Sequence, residues 1–339
     1  MIDTFISARR LRLHTFAATC LGFTVMAGAV QAEQRDIVIG AHEAGSHMYA
    51  SGAAIAGLIT KHTKQTGKVL AVAGSGVWMP MMEAREVDLG LLTHYQGWLA
   101  YVGKKPFPRK FDIRTALIGG GIAVGLYVRN SSPIKTRKDI RGKRIGYKYS
   151  GAPAIGVYAE GEIANAGLTW KDVKAIPRTS LYAGQREDVT ERRLDVFYAS
   201  VGSGISRELD STIGIRFLGL DTSPAALANM RKVYPAVVTR VKAGPPGIRE
   251  DMTLVYLSTY LVAYTKVSDD VVYRTVKTLW EHNAELRKSA KRLRGWSTDK
   301  FASEKAIIPY HDGAIRLYKE KGVWTPALAK RQKELLAGK

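Results

Sequence analysis

Two stretches, ALIGGGIAVGLYVR (116–129) and MTLVYLSTYLVAYT (252–265), are the long strand-like segments of this 339-residue chain, and they flank its middle third. Apolar runs of this length suit strands that leave one packed lobe and later return to it. They divide the chain into two α/β lobes: lobe I from residues 33–128 plus 253–339, and lobe II from 129–252.

The segments around them alternate between strand and helix. DIVIGA (36–41) has strand periodicity, and Ala54, Ile55, Leu58 and Ile59 recur at helical spacing. KVLAVA (68–73), the turn GSG, the helical MPMMEAR and DLGLLT (88–93) form the next cycle. RGKRIGYKYSGAP opens a further one, with a helix from about Pro153 to Ala166 ending at Gly167. Strands are expected near 173–177, 194–199 and 215–220, and helix after 265. Repeated strand–helix cycles predict α/β sheets with mostly parallel strands. Ligands in such folds sit in the crevice at strand C-termini and helix N-termini.

The amino end carries Arg9, Arg10 and Arg12, an apolar stretch from about Thr15 to Val30, and then small residues. Val30 and Ala32 fit the −3 and −1 positions of a signal-peptidase site, so residues 1–32 read as a cleaved leader and the protein as periplasmic. The Arg9-Arg10 pair leaves both the general and the twin-arginine export routes open. Cleavage removes Cys20, the only cysteine, and with it any disulfide, thiol nucleophile or cysteine metal site. The formal charge of +21 falls to +19 on loss of three arginines and one aspartate. That balance favours acidic partners. Basic residues are scattered, with modest clusters at 135–144 and 287–294, and they do not interleave with aromatics as in a nucleic-acid platform.

HEAGSH (42–47) has the look of a zinc-hydrolase helix. His42 and His47 are five residues apart, which on a helix turns their imidazoles about 140° away from each other. The zincin spacing is four. Gly45 interrupts a helix here, and the sequence offers no third ligand nearby. The segment is therefore a loop before a helix that starts near Tyr49, and no metal or cofactor is expected.

The succession IVIGAHEAGSHMYASGAAIAGLI (37–59), VAGSGVWMPMMEAREVDLGLLT (72–93), DIRGKRIGYKYSGAP (139–153), LDVFYASVG (194–202), DDVVYRTVKTLWEHN (269–283) and IIPYHDGAIRLYKEKGVW (307–324) resembles the TAXI-type solute receptors. These are the extracytoplasmic binding proteins of tripartite ATP-independent periplasmic (TRAP) transporters. The resemblance covers nearly all of 36–325. It implies a two-lobed, type II periplasmic-binding-protein-like fold that is not an enzyme. It also implies capture of a small organic anion such as glutamate or 2-oxoglutarate, handed to TRAP membrane subunits, fused or separate, by a monomer. The chain departs from the family at GSHMY, THYQGW and YKYSGAPA, the loops expected to touch ligand.

Five loops should converge on the crevice. Ser46, His47 and Tyr49 open the first helix, whose free amides attract anions. Ser75, Gly76 and Val77 open a second, with Trp78 assigned to the core in preference to the ligand. Thr93, His94 and Tyr95 follow a strand end. Tyr149, Ser150 and Gly151 precede a helix on the other lobe, and Ser200, Val201 and Gly202 complete that wall, with Arg178 and Tyr182 nearby. Two helix N-termini facing one cleft suit a carboxylate. Tyr49, Tyr95, Tyr149, Trp78 and Trp98 keep an aromatic or cyclic carboxylate as an alternative. Two further function classes stay open: a receptor serving a signalling partner, and an enzyme on the same scaffold with His94 or His47 as base. The mature chain is expected to begin at or near Glu33. Amino-terminal sequencing of the exported protein checks this, and an intact Met1 contradicts it.

Overall fold

The computed structural model describes residues 35–338, and the expected leader lies outside them. From its amino end, β1 (Ile37–His42), α1 (His47–His62), β2 (Gly67–Val72), α2 (Ser75–Glu83), β3 (Leu89–Thr93) and α3 (His94–Val102) make three strand–helix cycles. The long β4 (Ile113–Arg129) leads to β5 (Arg144–Tyr147), α4 (Ala154–Asn165), β6 (Lys174–Pro177) and α5 (Gln185–Thr190). Then come β7 (Phe197–Ser200), α6 (Gly204–Thr212), β8 (Ile215–Phe217), α7 (Pro224–Val233) and β9 (Val237–Val241). The long β10 (Met252–Tyr264) returns. It is followed by α8 (Asp269–Glu281), α9 (Asn283–Ser289), α10 (Thr298–Phe301), α11 (Asp312–Glu320) and α12 (Pro326–Leu336).

β1 lies between β2 and β3 with both pairings parallel, and β10 and β4 extend that sheet antiparallel. The far part of β4 carries β7 and β8, and the start of β10 carries β9, all antiparallel. β5 and β6 form a parallel pair that touches the β7 segment through an Ile145–Val196 bridge. The expectation of mostly parallel strands is thus corrected. Parallel pairing is confined to β1–β2, β1–β3 and β5–β6, because the chain goes out along β4 and comes back along β10 beside it. The strand β9 was not anticipated either. It is short, largely exposed and lacks a clean alternation.

The triple glycine of β4 has a steric reason. A Cβ on Gly119 would lie 2.5 Å from Trp296, and one on Gly121 would lie 1.9 Å from the Tyr256 ring. Bare backbone here lets an indole and a phenol lie flat on the strand. Trp78 does the same over Gly90 and Gly40, and it is fully buried in the core as expected. One large apolar cluster runs from the β1–β3 layer through β4 and β10 to α4. A smaller one around Tyr127, Phe197, Leu209, Phe217 and Leu254 fills the region of β7 and β8.

A buried ion pair locks α4 to the far part of β4. Arg137 and Glu162 are almost wholly buried and bonded to each other. Glu162 also accepts from the Leu126 amide at 2.9 Å, and Arg137 donates to the Gly219 and Leu218 carbonyls at 3.0 and 2.7 Å. Burial raises the Glu162 pKa, against the opposing pull of Arg137. Glu162→Ala, which strands the guanidinium, is expected to cost about 3–5 kcal/mol in urea unfolding, and a joint Arg137→Met/Glu162→Leu replacement should recover most of it. A loss below about 1 kcal/mol for Glu162→Ala would mean the pair does not hold α4 in place.

Candidate functional site

The ends of β1, β3 and β7, the middle of β4 and β10, and the first turns of α1, α3 and α4 meet around a small enclosed cavity. Its volume is about 30 Å³, room for a few waters at most. Polar groups on its wall are His42, His47, Thr93, Gln96, Tyr158 and Ser200. Tyr182 and Tyr198 add phenols, while Met48, Ile122, Val124, Ile155, Leu181 and Leu257 make the rest apolar. No Lys, Arg, Asp or Glu lines it.

Hydrogen bonds between segments of the two expected lobes hold this cavity shut. The Thr93 hydroxyl and Tyr158 phenol are 2.6 Å apart, and the Gln96 amide donates to the same phenol oxygen at 3.1 Å. Gly76 N–H donates to Gly151 O at 3.0 Å, and Ile205 N–H to Gly45 O at 3.2 Å. Ser180 donates to the Glu43 carboxylate. Glycine is required at the Gly45–Gly204 approach, since a Cβ on Gly204 would sit 2.8 Å from the Gly45 Cα.

Closure buries polar atoms without pairing them all. His42 Nδ1, both ring nitrogens of His47 and the Tyr198 hydroxyl are buried and have no hydrogen-bond partner. Burial alone pulls His42 from 6.5 down to about 4. Burial, with the charges of Arg292 and Arg207 behind it, pulls His47 down to about 3. Both imidazoles are therefore neutral at physiological pH. Arg292 is half-buried, and Arg207 lies in the first turn of α6. Among the described residues no carboxylate pairs with either.

Of the residues singled out from sequence, the structure brings His42, His47, Thr93, Tyr182 and Ser200 to the cavity wall. Ser46 is the N-cap of α1, accepting from the Tyr49 amide at 2.9 Å, and Tyr49 is half-buried away from the cavity. Ser75 is buried one layer back and accepts from the Gln96 side chain at 2.5 Å. Val77 is exposed. His94 packs against the backbone of Ser258. Tyr95 stacks on Trp98 at 5.5 Å and meets Tyr234 at 5.6 Å. Tyr149, at a left-handed φ of 31°, turns its ring under Gly146 into the core. The Ser150 and Gly151 amides donate to the Arg178 and Thr179 carbonyls at 3.1 and 2.9 Å, so those two donors are already paired. Val201 donates to Ala123 O at 2.9 Å, and Gly202 O accepts from Arg207. Arg178 makes an ion pair with Asp188.

Sequence reading missed Gln96, Tyr158, Tyr198 and the strand positions 122, 124 and 257. The signal available was positional: Ile122, Val124 and Leu257 lie where the two long strands pair. A second, larger groove of about 850 Å³ opens on the outer side of lobe I beside Trp98, Tyr101, Arg114 and Tyr264. It is open to solvent, and among the described residues that line it none carries a buried, unpartnered polar atom.

The two neutral histidines make stability depend on pH. Unfolding exposes imidazoles that take up protons below about pH 6.5, whereas the folded pKa values are about 4 and 3. Stability from these groups is full above pH 6.5 and is lost as pH falls toward those values. At pH 4.5 the loss is on the order of 2–3 kcal/mol for each. Urea unfolding of wild type and His47→Gln at pH 7 and 4.5 checks this. The variant should lose less stability on acidification by about that amount, and equal losses would contradict neutral burial of His47.

Several solved structures are similar to this chain, and the two with TM-scores above 0.5 share its fold. A protein of Bordetella bronchiseptica RB50 matches with a TM-score of 0.53 at 14% identity, over 87% of this chain and 90% of that one. An R. palustris protein solved with adipate matches at 0.51 and 15% identity, over 88% and 98%. A TctC solute binding protein from Polaromonas gives 0.45 and 14%, over 91% and 100%. At these identities the likeness is one of fold, a mixed α/β, two-lobed architecture. The profile of the NMT1-like family matches residues 39–322, most of the chain. The protein belongs to the NMT1-like family.

Proposed function

We propose that the chain is a periplasmic solute receptor that closes its two lobes on a small organic carboxylate and delivers it to TRAP-type membrane subunits. The observation that carries this reading is the set of buried, unpartnered polar atoms on His42, His47 and Tyr198 around a cavity walled by both lobes. Each such atom forfeits about 1–3 kcal/mol of solvation unless something bonds it. A bound solute is the partner that restores those bonds.

The cavity is too small for an organic acid in its closed form, so entry requires the bonds across the cleft to part. Neutral imidazoles, phenols and hydroxyls then read the solute, and the apolar wall from β4, β10 and α4 covers its carbon body. Arg207 and Arg292, without carboxylate partners among the described residues, supply the positive field that draws an anion to His47. The adipate held by the R. palustris protein is an organic acid of this class. Turnover has no support in the geometry: His47, the candidate base on the wall, bonds neither a hydroxyl nor a carboxylate.

Denaturing the purified protein should release a small organic acid detectable by mass spectrometry. His47→Leu and Tyr198→Phe remove unpaired atoms, so the unliganded melting temperature should hold or rise, while calorimetry shows affinity for that acid falling about tenfold or more. Undiminished affinity in both variants, or a neutral or cationic solute, overturns the assignment.

A further inference from the structure

The expected absence of metal rested on His42 and His47, which share one loop. A different set of donors meets at the opposite end of α1. His62 is the last residue of α1, His282 joins α8 to α9, and Glu285 lies in the first turn of α9. One donor atom from each lies within 4.8 Å of the other two. His62 Nε2 is already 3.0 Å from Glu285 Oε2, and the two imidazoles are face to face with centroids 3.5 Å apart and planes 8° from parallel.

We propose that His62, His282 and Glu285 form a zinc site on the outer side of lobe I. Imidazole and carboxylate donors suit this ion, with bonds of about 2.0–2.2 Å, which in a tetrahedron places donor atoms about 3.3 Å apart. The His62–Glu285 pair, at 3.0 Å, needs only a few tenths of an ångström more. His282 completes the set by a tilt of its ring out of the stack, since parallel rings aim their lone pairs side by side. Glu285 keeps Lys61 on its other oxygen, at 2.7 Å, so the ion gains a carboxylate oriented by a second partner.

The backbone beneath the donors is fixed. His282 N–H bonds Thr278 O at 3.0 Å, Leu286 N–H bonds His282 O at 3.0 Å, and the Asn283 side chain bonds Trp296 O at 2.8 Å. The donors are partly exposed, which leaves a route for the ion and a fourth position for water. At 1.5 Å per residue, α1 sets this site about 22 Å from His47. The ion would staple α1 to α9 without touching the solute, so the site stands apart from the receptor reading.

Chelator-treated protein titrated with zinc chloride in a calorimeter should bind one equivalent, and cobalt(II) in its place should give the visible spectrum of a tetrahedral ion. His282→Ala, a change at a partly exposed position outside the apolar core, and Glu285→Gln should each weaken zinc binding tenfold or more. Lack of stoichiometric binding, unchanged affinity in His282→Ala, or loss of the ion on His47→Leu instead would overturn the site.

Discussion

The antiparallel pairing of β10 with β4 carries both halves of the molecule. β10 joins the β1–β3 layer to β4 along most of its length, and beyond that layer the same two strands hold β7, β8 and β9. Everything else hangs from this ribbon. The loops after β1, β3 and β7 reach the cavity because their strands are registered, directly or through one neighbour, to β4 or β10, whereas the loop with Leu181 and Tyr182 follows β6, which pairs with β5. The register slip at Ser258/Tyr260 falls beside the glycine run of β4, and a second slip at Leu261/Val262 lies opposite Leu117 and Thr115. Backbone that is locally bare and irregular is where a two-stranded ribbon bends at least cost. In the proposed receptor the ribbon is the floor of the cleft and the hinge of its walls.

Closure over that floor creates a tension between packing and polarity. Bonds from Tyr158, Gly151, Ile205 and Ser180 to Thr93, Gly76, Gly45 and Glu43 bring apolar walls together and exclude water. The same closure strands His47 and the Tyr198 hydroxyl in a medium where neither finds a donor or acceptor. A protein selected for stability alone would place apolar side chains there. In the proposed receptor a solute completes these atoms, and release of that solute requires closed and open forms of similar free energy.

Much of the architecture was legible in the sequence, because the crossing strands are long, apolar and placed either side of a block of strand–helix cycles. Their antiparallel sense was not, since a strand's own residues carry no mark of its neighbour's direction. At the site, His47, Thr93 and Ser200 could be found from their places at strand ends and helix starts. Tyr158 and Tyr198 could not: one sits in a helix and the other in a strand where any buried aromatic reads as core. Ser150 and Gly151 misled as open anion donors because the carbonyls that take their amides come from residues 178 and 179, which only the fold brings near. The donors at residues 62, 282 and 285 are likewise joined by tertiary packing across more than two hundred residues.

In the proposed receptor, two lobes hinged on β4 and β10 open to admit a solute and close upon it. Small-angle scattering tests this most directly, on protein stripped of small molecules by unfolding and refolding, before and after the released fraction is added back. The account predicts a wider radius of gyration for the stripped protein and a return to the compact value with the solute restored. An identical radius in both states would contradict it.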